Sequence, residues 1–392
     1  MPYKVVITVN SPGRSGPPKT MLDVFESSGI ESSVIPCSNE NELIAAAKDA
    51  DVLLVGTVPH TTREVMENLP KLKMIGRSGV GVDSVDLDAA TELGICVTNT
   101  PGINTSEVAD HAMALLLSIT RQIPELSKHT KEGAWSDNPQ KLMNPRNRLR
   151  RIAGTTVGIY GFGNIGRAFS NRIKGFGPER IIAHDPYIPQ SVADLYGVKL
   201  VSFDELITES DIITVHSPAT SENNHQFNLE AFSKMKETAI FINCARGPIV
   251  NESDLAHALN NNLIYHAGID VTEIEPLDAE SPLLKTENLF LTPHYAGGSN
   301  FTASEGSKRW AENAVNVLTG QKLWGLANPD VKRVITIMRT KGSNKWDDIP
   351  DPVTDFDFSW NKRNKPWYKY WEKFLIELFL ILKFIKIEFK WG

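Results

Sequence analysis

The sequence predicts an α/β protein made of two open parallel-sheet domains with a cleft between them. Two observations carry that reading. Short apolar runs alternate with helical segments from residue 4 to about 100, and a second series of the same kind runs from about Thr155 to Pro293. A third observation is the stretch Val157-Gly158-Ile159-Tyr160-Gly161-Phe162-Gly163-Asn164-Ile165-Gly166, where an apolar strand runs into spaced glycines that open a helix. Chained βα units make a mostly parallel sheet. A chain of 392 residues is also long for a single core.

In the first series the expected strands are Val5 to Val9, Ser33 to Ile35, Val52 to Val55, Met74 to Ile75 and Cys96 to Thr98. The helices between them are Thr20 to Ser28, Glu40 to Asp49, Thr62 to Leu69 and Asp86 to Leu93. A long helix from about Ser106 to Leu126 follows, because Val108, Ala112, Leu115, Leu116 and Ile119 recur at helical spacing and Asn104-Thr105-Ser106 offers a cap. The segment Asp137–Arg151, basic toward its end, reads as a solvated loop. The second series has strands at Val157–Tyr160, Ile181–His184, Ile212–His216, Ile240–Asn243, Ala267–Asp270 and Leu289–Thr292. Phe301 to Leu318 is helical again and is expected to cross back to the first domain.

The glycine run has a full dinucleotide-binding context. Gly161 permits the tight turn, Gly163 lets backbone approach a pyrophosphate, and Gly166 lets helix and strand pack closely. The helix N-terminus brings oriented N–H groups and a partial positive charge. The next apolar strand ends in Asp185, about 20 residues on, where such folds place an acid on the adenosine ribose. A carboxylate there repels a 2′-phosphate, and Pro186-Tyr187-Ile188-Pro189 brings no Arg to receive one. The expected cofactor is therefore NAD rather than NADP, in a Rossmann domain.

Composition removes several classes. A formal charge of −6 gives no basic field for nucleic acid. Cys37, Cys96 and Cys244 are far apart without CxxC spacing, so neither a disulfide frame nor a metal site is expected. The N-terminus enters a strand pattern directly, with no secretory leader, so a cytoplasmic protein is expected. From about 335 to 392 the sequence becomes an aromatic-rich extension, expected to be poorly ordered. Five of the chain's eight tryptophans lie beyond residue 345. Within it Phe374 to Leu382 is apolar but interrupted by Glu377, too short for a membrane span, and Ile385 to Trp391 alternates like a strand. A chain ending near Arg333 is expected to fold and to keep its activity.

Three segments fall where strands of the second series end: Asn243-Cys244-Ala245-Arg246-Gly247, Asp270-Val271-Thr272-Glu273-Ile274-Glu275-Pro276, and Thr292-Pro293-His294-Tyr295-Ala296-Gly297-Gly298. Open α/β sheets carry their ligand site at those ends. Reducing a carbonyl takes a hydride on carbon and a proton on oxygen. A His gives the proton near neutral pH, a neighbouring carboxylate favours the protonated ring and fixes its tautomer, and an Arg binds a substrate carboxylate and polarises the carbonyl. Each has a plain alternative: Arg246 in a surface ion pair, Glu275 ahead of a turn proline, His294 as a strand-end core histidine.

With these residues in view the chain resembles the D-isomer-specific 2-hydroxyacid dehydrogenase family, of the phosphoglycerate dehydrogenase-like and C-terminal binding protein-like branch. Further matching segments are Gly76-Arg77-Ser78-Gly79-Val80-Gly81-Val82-Asp83, Asn99-Thr100-Pro101-Gly102 and Glu107-Val108-Ala109-Asp110-His111, and the likeness spans about 1–330. It implies Arg246 as substrate-binding and activating, His294 as proton donor and Glu275 as its partner. It implies backbone N–H groups near Val80 and Gly81 on the substrate carboxylate. Cofactor contacts would come from Gly161, Gly163, Asn164, Ile165, Gly166, Asp185, Cys244, Ala245, Asp270 and Gly297. The implied lobes are a catalytic domain of 1–103 plus about 296–330 and a Rossmann NAD-binding domain of 104–295, in a homodimer acting on a small 2-hydroxy or 2-keto acid. Formate dehydrogenases of the superfamily carry Gln at Glu275 and phosphite dehydrogenases a Lys at Val80, so both are disfavoured. The extension does not resemble the regulatory βαββαβ domain that phosphoglycerate dehydrogenases often append. An NAD(H)-sensing binding protein of the C-terminal binding protein type is the alternative, and the Arg–Glu–His set does not separate it from an enzyme.

Overall fold

A computed structural model describes residues 3–8 and 17–349. The chain divides into two compact units. One joins the chain up to Ile103 with the chain from Phe301 onward, and the other is Asn104–Asn300.

The first unit has a five-stranded sheet of β1 (Lys4–Ile7), β2 (Glu31–Val34), β3 (Val52–Val55), β4 (Met74–Arg77) and β5 (Cys96–Thr98). All pairs are parallel and the order is β2-β1-β3-β4-β5. β3 and β4 are buried along their whole length, as expected for strands covered by helices on both faces. Gly76 in β4 is required by packing: a Cβ there would lie 2.4 Å from Trp310 Nε1 and 2.5 Å from a Leu54 methyl. Helix starts are fixed by side chains. Asn39 accepts from Glu42 N and Asp86 accepts from Ala89 N.

The second unit has seven parallel strands: β6 (Thr156–Tyr160), β7 (Arg180–His184), β8 (Lys199–Leu200), β9 (Ile212–Val215), β10 (Ile240–Asn243), β11 (His266–Ile269) and β12 (Leu289–Leu291). Their order is β12-β11-β10-β9-β6-β7-β8. The winding reverses beside β6, so the glycine turn that follows β6 sits at the point where such sheets bind ligands.

Three expectations are corrected. The helix expected over Ser106–Leu126 ends at Arg121: Gln122 turns to φ 53° and a new helix runs Ile123–Lys131. Pro124 is the reason, since it has no N–H and its ring crowds the preceding turn. The stretch 137–151 is not a free loop. It holds a 3₁₀ turn (Pro139–Leu142) and a short helix (Met143–Asn147). Its basic end is built in: Arg148 pairs with Glu125 and Asn288, the Tyr265 hydroxyl donates to Arg148 O at 2.9 Å, and Arg150 lies 4.4 Å over the Tyr265 ring.

The extension does not begin at 335. A helix spans Val331–Thr340 and a 3₁₀ turn Asn344–Trp346. Ile335, Trp346 and Ile349 join Trp310, Ala314 and Leu318, on the helix Ser307–Leu318, in the core of the first unit. Trp346 is fully buried and donates to Gly94 O at 3.0 Å, and Lys345 Nζ donates to Leu93 O at 2.9 Å. A boundary near Arg333 would cut through this core. The readings made for Phe374–Leu382 and Ile385–Trp391 lie outside the described residues. Among the described residues no helix is long and apolar enough to cross a membrane.

Candidate active site

In the second unit the loops after β6, β7, β10, β11 and β12 carry the residues singled out above. After β6, Gly161 has φ 89°, and a Cβ on it would stand 2.7–2.8 Å from the backbone of His216 and Ser217. Gly166 lies so close to the turn that its Cβ would sit 2.3 Å from Gly161 O. Gly163 has open space where its side chain would be, and it precedes the helix Asn164–Ile173 without a side-chain cap hydrogen bond. Backbone access, close helix–strand contact and uncapped helix N–H groups are what a pyrophosphate requires, so these residues fit a bound dinucleotide. Asn164 and the half-buried Ile165 open that helix. Asp185 is tied to the same turn. One carboxylate oxygen accepts from Phe162 N at 2.8 Å and the other from Tyr187 N at 2.9 Å. The Tyr187 hydroxyl donates to Glu222 at 3.0 Å, which brings a second acid to this end of the sheet.

His294 Nδ1 pairs with Glu275 Oε2 at 2.6 Å, and both side chains are partly exposed. His294 takes φ 57°, a left-handed conformation in which His is among the better-tolerated residues. Asp270 builds the loop that holds it. Its carboxylate accepts from Thr292 Oγ1 (2.6 Å), Tyr295 N (2.9 Å) and Ala296 N (2.8 Å), and its backbone O accepts from His294 N (2.7 Å). His111 closes the network, with Nε2 at 2.9 Å from Thr292 Oγ1 and 3.6 Å from Asp270. Burial of Asp270 fits this use, since a buried carboxylate needs several donors. Gly297 lets this loop approach Asn104, whose Nδ2 would be 2.6 Å from an added Cβ.

On β10, Asn243 shapes the next turn. Its Oδ1 accepts from Ala245 N (3.0 Å) and its Nδ2 donates to Arg246 O (3.0 Å). Arg246 is half-buried in extended backbone, with Nη1 donating to Ala245 O at 2.6 Å. Burial pushes the Cys244 thiol well above its usual range, and the nearby Asp270 charge adds to this, so it is no thiolate nucleophile.

Electrostatics tie these groups together. Burial alone would raise the Glu275 carboxyl. The hydrogen bond and charge of His294, the Thr272 N–H and the Arg246 charge outweigh it and hold Glu275 below the usual carboxylate range. Two other histidines of this unit are excluded as proton donors. Burial pushes His216 down to about 3 and His266 down to about 4.

In the first unit, the loop after β4 has Gly79 at φ 103°. Thr100 N and Oγ1 both donate to Gly79 O, at 2.9 and 3.1 Å, and Asn99 Nδ2 donates to Val80 O. The Asn99-Thr100 motif therefore fixes the backbone that carries Val80 and Gly81. His111, Thr292 and Asn243 lie within the motif segments, but neither spacing nor periodicity gives these side chains a role. A polar residue closing an apolar strand, as Asn243 does, was the available signal.

Fold and site together define a dinucleotide-binding α/β protein with an Arg, a Glu and a His at the strand ends of its cofactor unit. A family model described as the NAD-binding domain of D-isomer specific 2-hydroxyacid dehydrogenases matches residues 113–296. The chain is 37% identical over 299 residues to a D-3-phosphoglycerate dehydrogenase of Archaeoglobus fulgidus, covering 76% of this chain and 55% of that protein. It is 37% identical over 294 residues to a glyoxylate reductase of Korarchaeum cryptofilum, covering 74% and 87%. Among solved structures, an NAD-dependent formate dehydrogenase of Staphylococcus aureus in complex with NAD superposes with a TM-score of 0.70 at 31% identity, covering 80% of this chain and 94% of that one. The chain belongs to the D-isomer specific 2-hydroxyacid dehydrogenase family, and its cofactor is NAD. It spans about half the length of the phosphoglycerate dehydrogenases it matches.

Proposed function

We propose that this protein is an NAD-dependent D-2-hydroxyacid dehydrogenase that interconverts a small 2-keto acid and its D-2-hydroxy acid. The observation that carries the reading is the 2.6 Å His294–Glu275 pair, electrostatically coupled to Arg246 in a unit that also holds the glycine turn. The relatives named phosphoglycerate dehydrogenase and glyoxylate reductase support it.

NADH, when bound, supplies the hydride. Arg246 binds the substrate carboxylate and polarises the carbonyl. His294 delivers a proton from Nε2 to the carbonyl oxygen as charge develops there, because Nδ1 is engaged by Glu275. Glu275 fixes the tautomer and compensates the charge of the protonated ring. Backbone N–H groups at Val80 and Gly81 hold the substrate carboxylate. Gly161, Gly163, Asn164, Ile165 and Gly166 would hold the pyrophosphate of a bound dinucleotide. Asp185 would take its ribose hydroxyls, and Cys244, Ala245, Asp270 and Gly297 would hold the nicotinamide end. The proposal includes a cytoplasmic homodimer, to be checked by sedimentation and fractionation. The direct assay is NADH oxidation against a panel of 2-keto acids. Tight NADH binding with no turnover would favour a cofactor-sensing scaffold instead.

Two results are expected on this reading. Glu275→Gln removes the charge that favours the protonated ring, so the pH profile of keto-acid reduction moves to lower pH; an unmoved profile in a fully active variant would separate Glu275 from His294. NADH is expected to be preferred over NADPH, since the Asp185 carboxylate at the end of β7 would repel a 2′-phosphate on the ribose. Asp185→Ala should narrow that preference, and comparable kcat/KM for both cofactors in the unaltered protein would refute it.

A further inference from the structure

Arg246 and Glu275 sit on different loops, and the structure shows how those loops are joined. Gly247 lies directly against the Glu275 loop: a Cβ there would be 2.0 Å from Thr272 C and O and 2.4 Å from Glu273 N. The segment His225–Phe227 runs beside the Arg246 turn. His225 N donates to Pro248 O (2.8 Å), Phe227 N to Ile249 O (3.0 Å), and Phe227 bridges Val250 in parallel. From that segment the His225 ring crosses to the other loop, where Nε2 lies 2.7 Å from Glu273 Oε2. Glu273 is fastened a second time. Its Oε1 accepts from Glu252 N at 2.8 Å, and its own N–H donates to the Glu252 carboxylate.

We propose that His225 is a positioning residue. Its ring, bonded to Glu273, is the strut that holds the Glu275 loop in register with the Arg246 turn. This rests on the roles given above to Arg246 and Glu275. The charge pattern agrees with it. Glu252, Glu273 and Glu275 stand close together; burial raises Glu252, and the charges of Glu273 and Glu275 add to that. His225 faces Glu273, and His294 and the Arg246 charge face Glu275. Without the His225 ring, Glu273 keeps its bond from Glu252 N but loses its tie to the segment beside the Arg246 turn. The His225 and Glu273 side chains are 38% and 30% exposed, so the pair itself contributes little to stability. Its loss is read in geometry.

The test uses His225→Asn and His225→Gln in the full chain. His225 has φ 51°, which Asn tolerates well, so the Asn variant removes reach without straining the backbone. Gln keeps a side-chain donor long enough for Glu273. The expected result for His225→Asn is a loss of about tenfold or more in kcat/KM, with KM for the keto acid raised and kcat lowered, because ~1 Å errors in positioning cost rate steeply. NADH affinity and unfolding midpoint stay unchanged, and His225→Gln recovers most of the loss. His225→Asn combined with Glu273→Gln should be no worse than the worse single variant. Independently of turnover, amide hydrogen exchange at Thr272 and Glu273 should quicken in His225→Asn. Kinetics and exchange equal to the unaltered protein would overturn the proposal, and so would equal impairment by Asn and Gln. His294→Ala is the parallel control. If it retains turnover, the assignment of the active site has failed, and the exchange result alone then decides whether the strut exists.

Discussion

Replacing His294 by alanine should lower keto-acid reduction by about 10²–10⁴-fold while leaving NADH binding close to that of the unaltered protein, the cost typical of losing one general acid. The split follows from where His294 sits. The glycine turn and Asp185 follow β6 and β7, whereas His294 follows β12, and its imidazole bonds Glu275. Proton delivery matters as the alkoxide forms, so the loss belongs in kcat more than in cofactor affinity. The backbone of the loop should survive, because Asp270 holds it through Tyr295 N and Ala296 N and by accepting from His294 N, contacts that alanine keeps. Fluorescence titration with NADH beside steady-state kinetics checks both halves. Near-normal turnover with the best substrate would remove His294 from the mechanism.

The second large effect lies far from the chemistry. A chain ending at Arg333 should fail to form a stable first unit, and Trp346→Ala in the full chain should lower unfolding stability by about 3–5 kcal/mol. Trp346 is fully buried, its indole N–H donates to Gly94 O, and Arg339 donates to the backbone of Trp346 and Ile349 from the preceding helix. Cutting at Arg333 removes Ile335, Trp346 and Ile349 from one core together. Net stabilities are roughly 5–15 kcal/mol, so a loss of that kind takes most of what is available. A chain ending after Ile349 retains all of these contacts. Urea unfolding of the three proteins measures the difference, and a chain ending at Arg333 with an unchanged midpoint would contradict this account of the core.

The site was legible where one short stretch of chain carries both a backbone requirement and a chemical group. Gly161, Gly163, Gly166 and Asp185 are of that kind, as are Arg246, Glu275 and His294, each at the end of an apolar strand. Thr292 and His111 were legible only as members of motifs, and Asp270 only as a cofactor contact, not as the centre of a hydrogen-bond network. Their partnership links side chains as much as 181 residues apart, and neither periodicity nor spacing encodes that. Pro124 announced the break at Gln122, but the long run of apolar residues before it outweighed the signal. The end of the chain misled for a different reason. Val331 and Ile335 are at helical spacing and Trp346 follows, yet the aromatic-rich composition runs on unbroken from 335 and masks them. A tryptophan is as much a core residue as a mark of unusual composition, and only its neighbours decide which.

The most direct measurement is NADH oxidation by the purified protein with glyoxylate, hydroxypyruvate and its phosphate ester, followed by chiral analysis of the products of the latter two, since glycolate is achiral. The geometry of His294, Glu275 and Arg246 predicts turnover with at least one of these acids, a D-configured product wherever the product is chiral, and loss of that turnover in His294→Ala. A protein that binds NADH tightly and reduces none of them, or whose turnover survives without His294, would contradict the assignment.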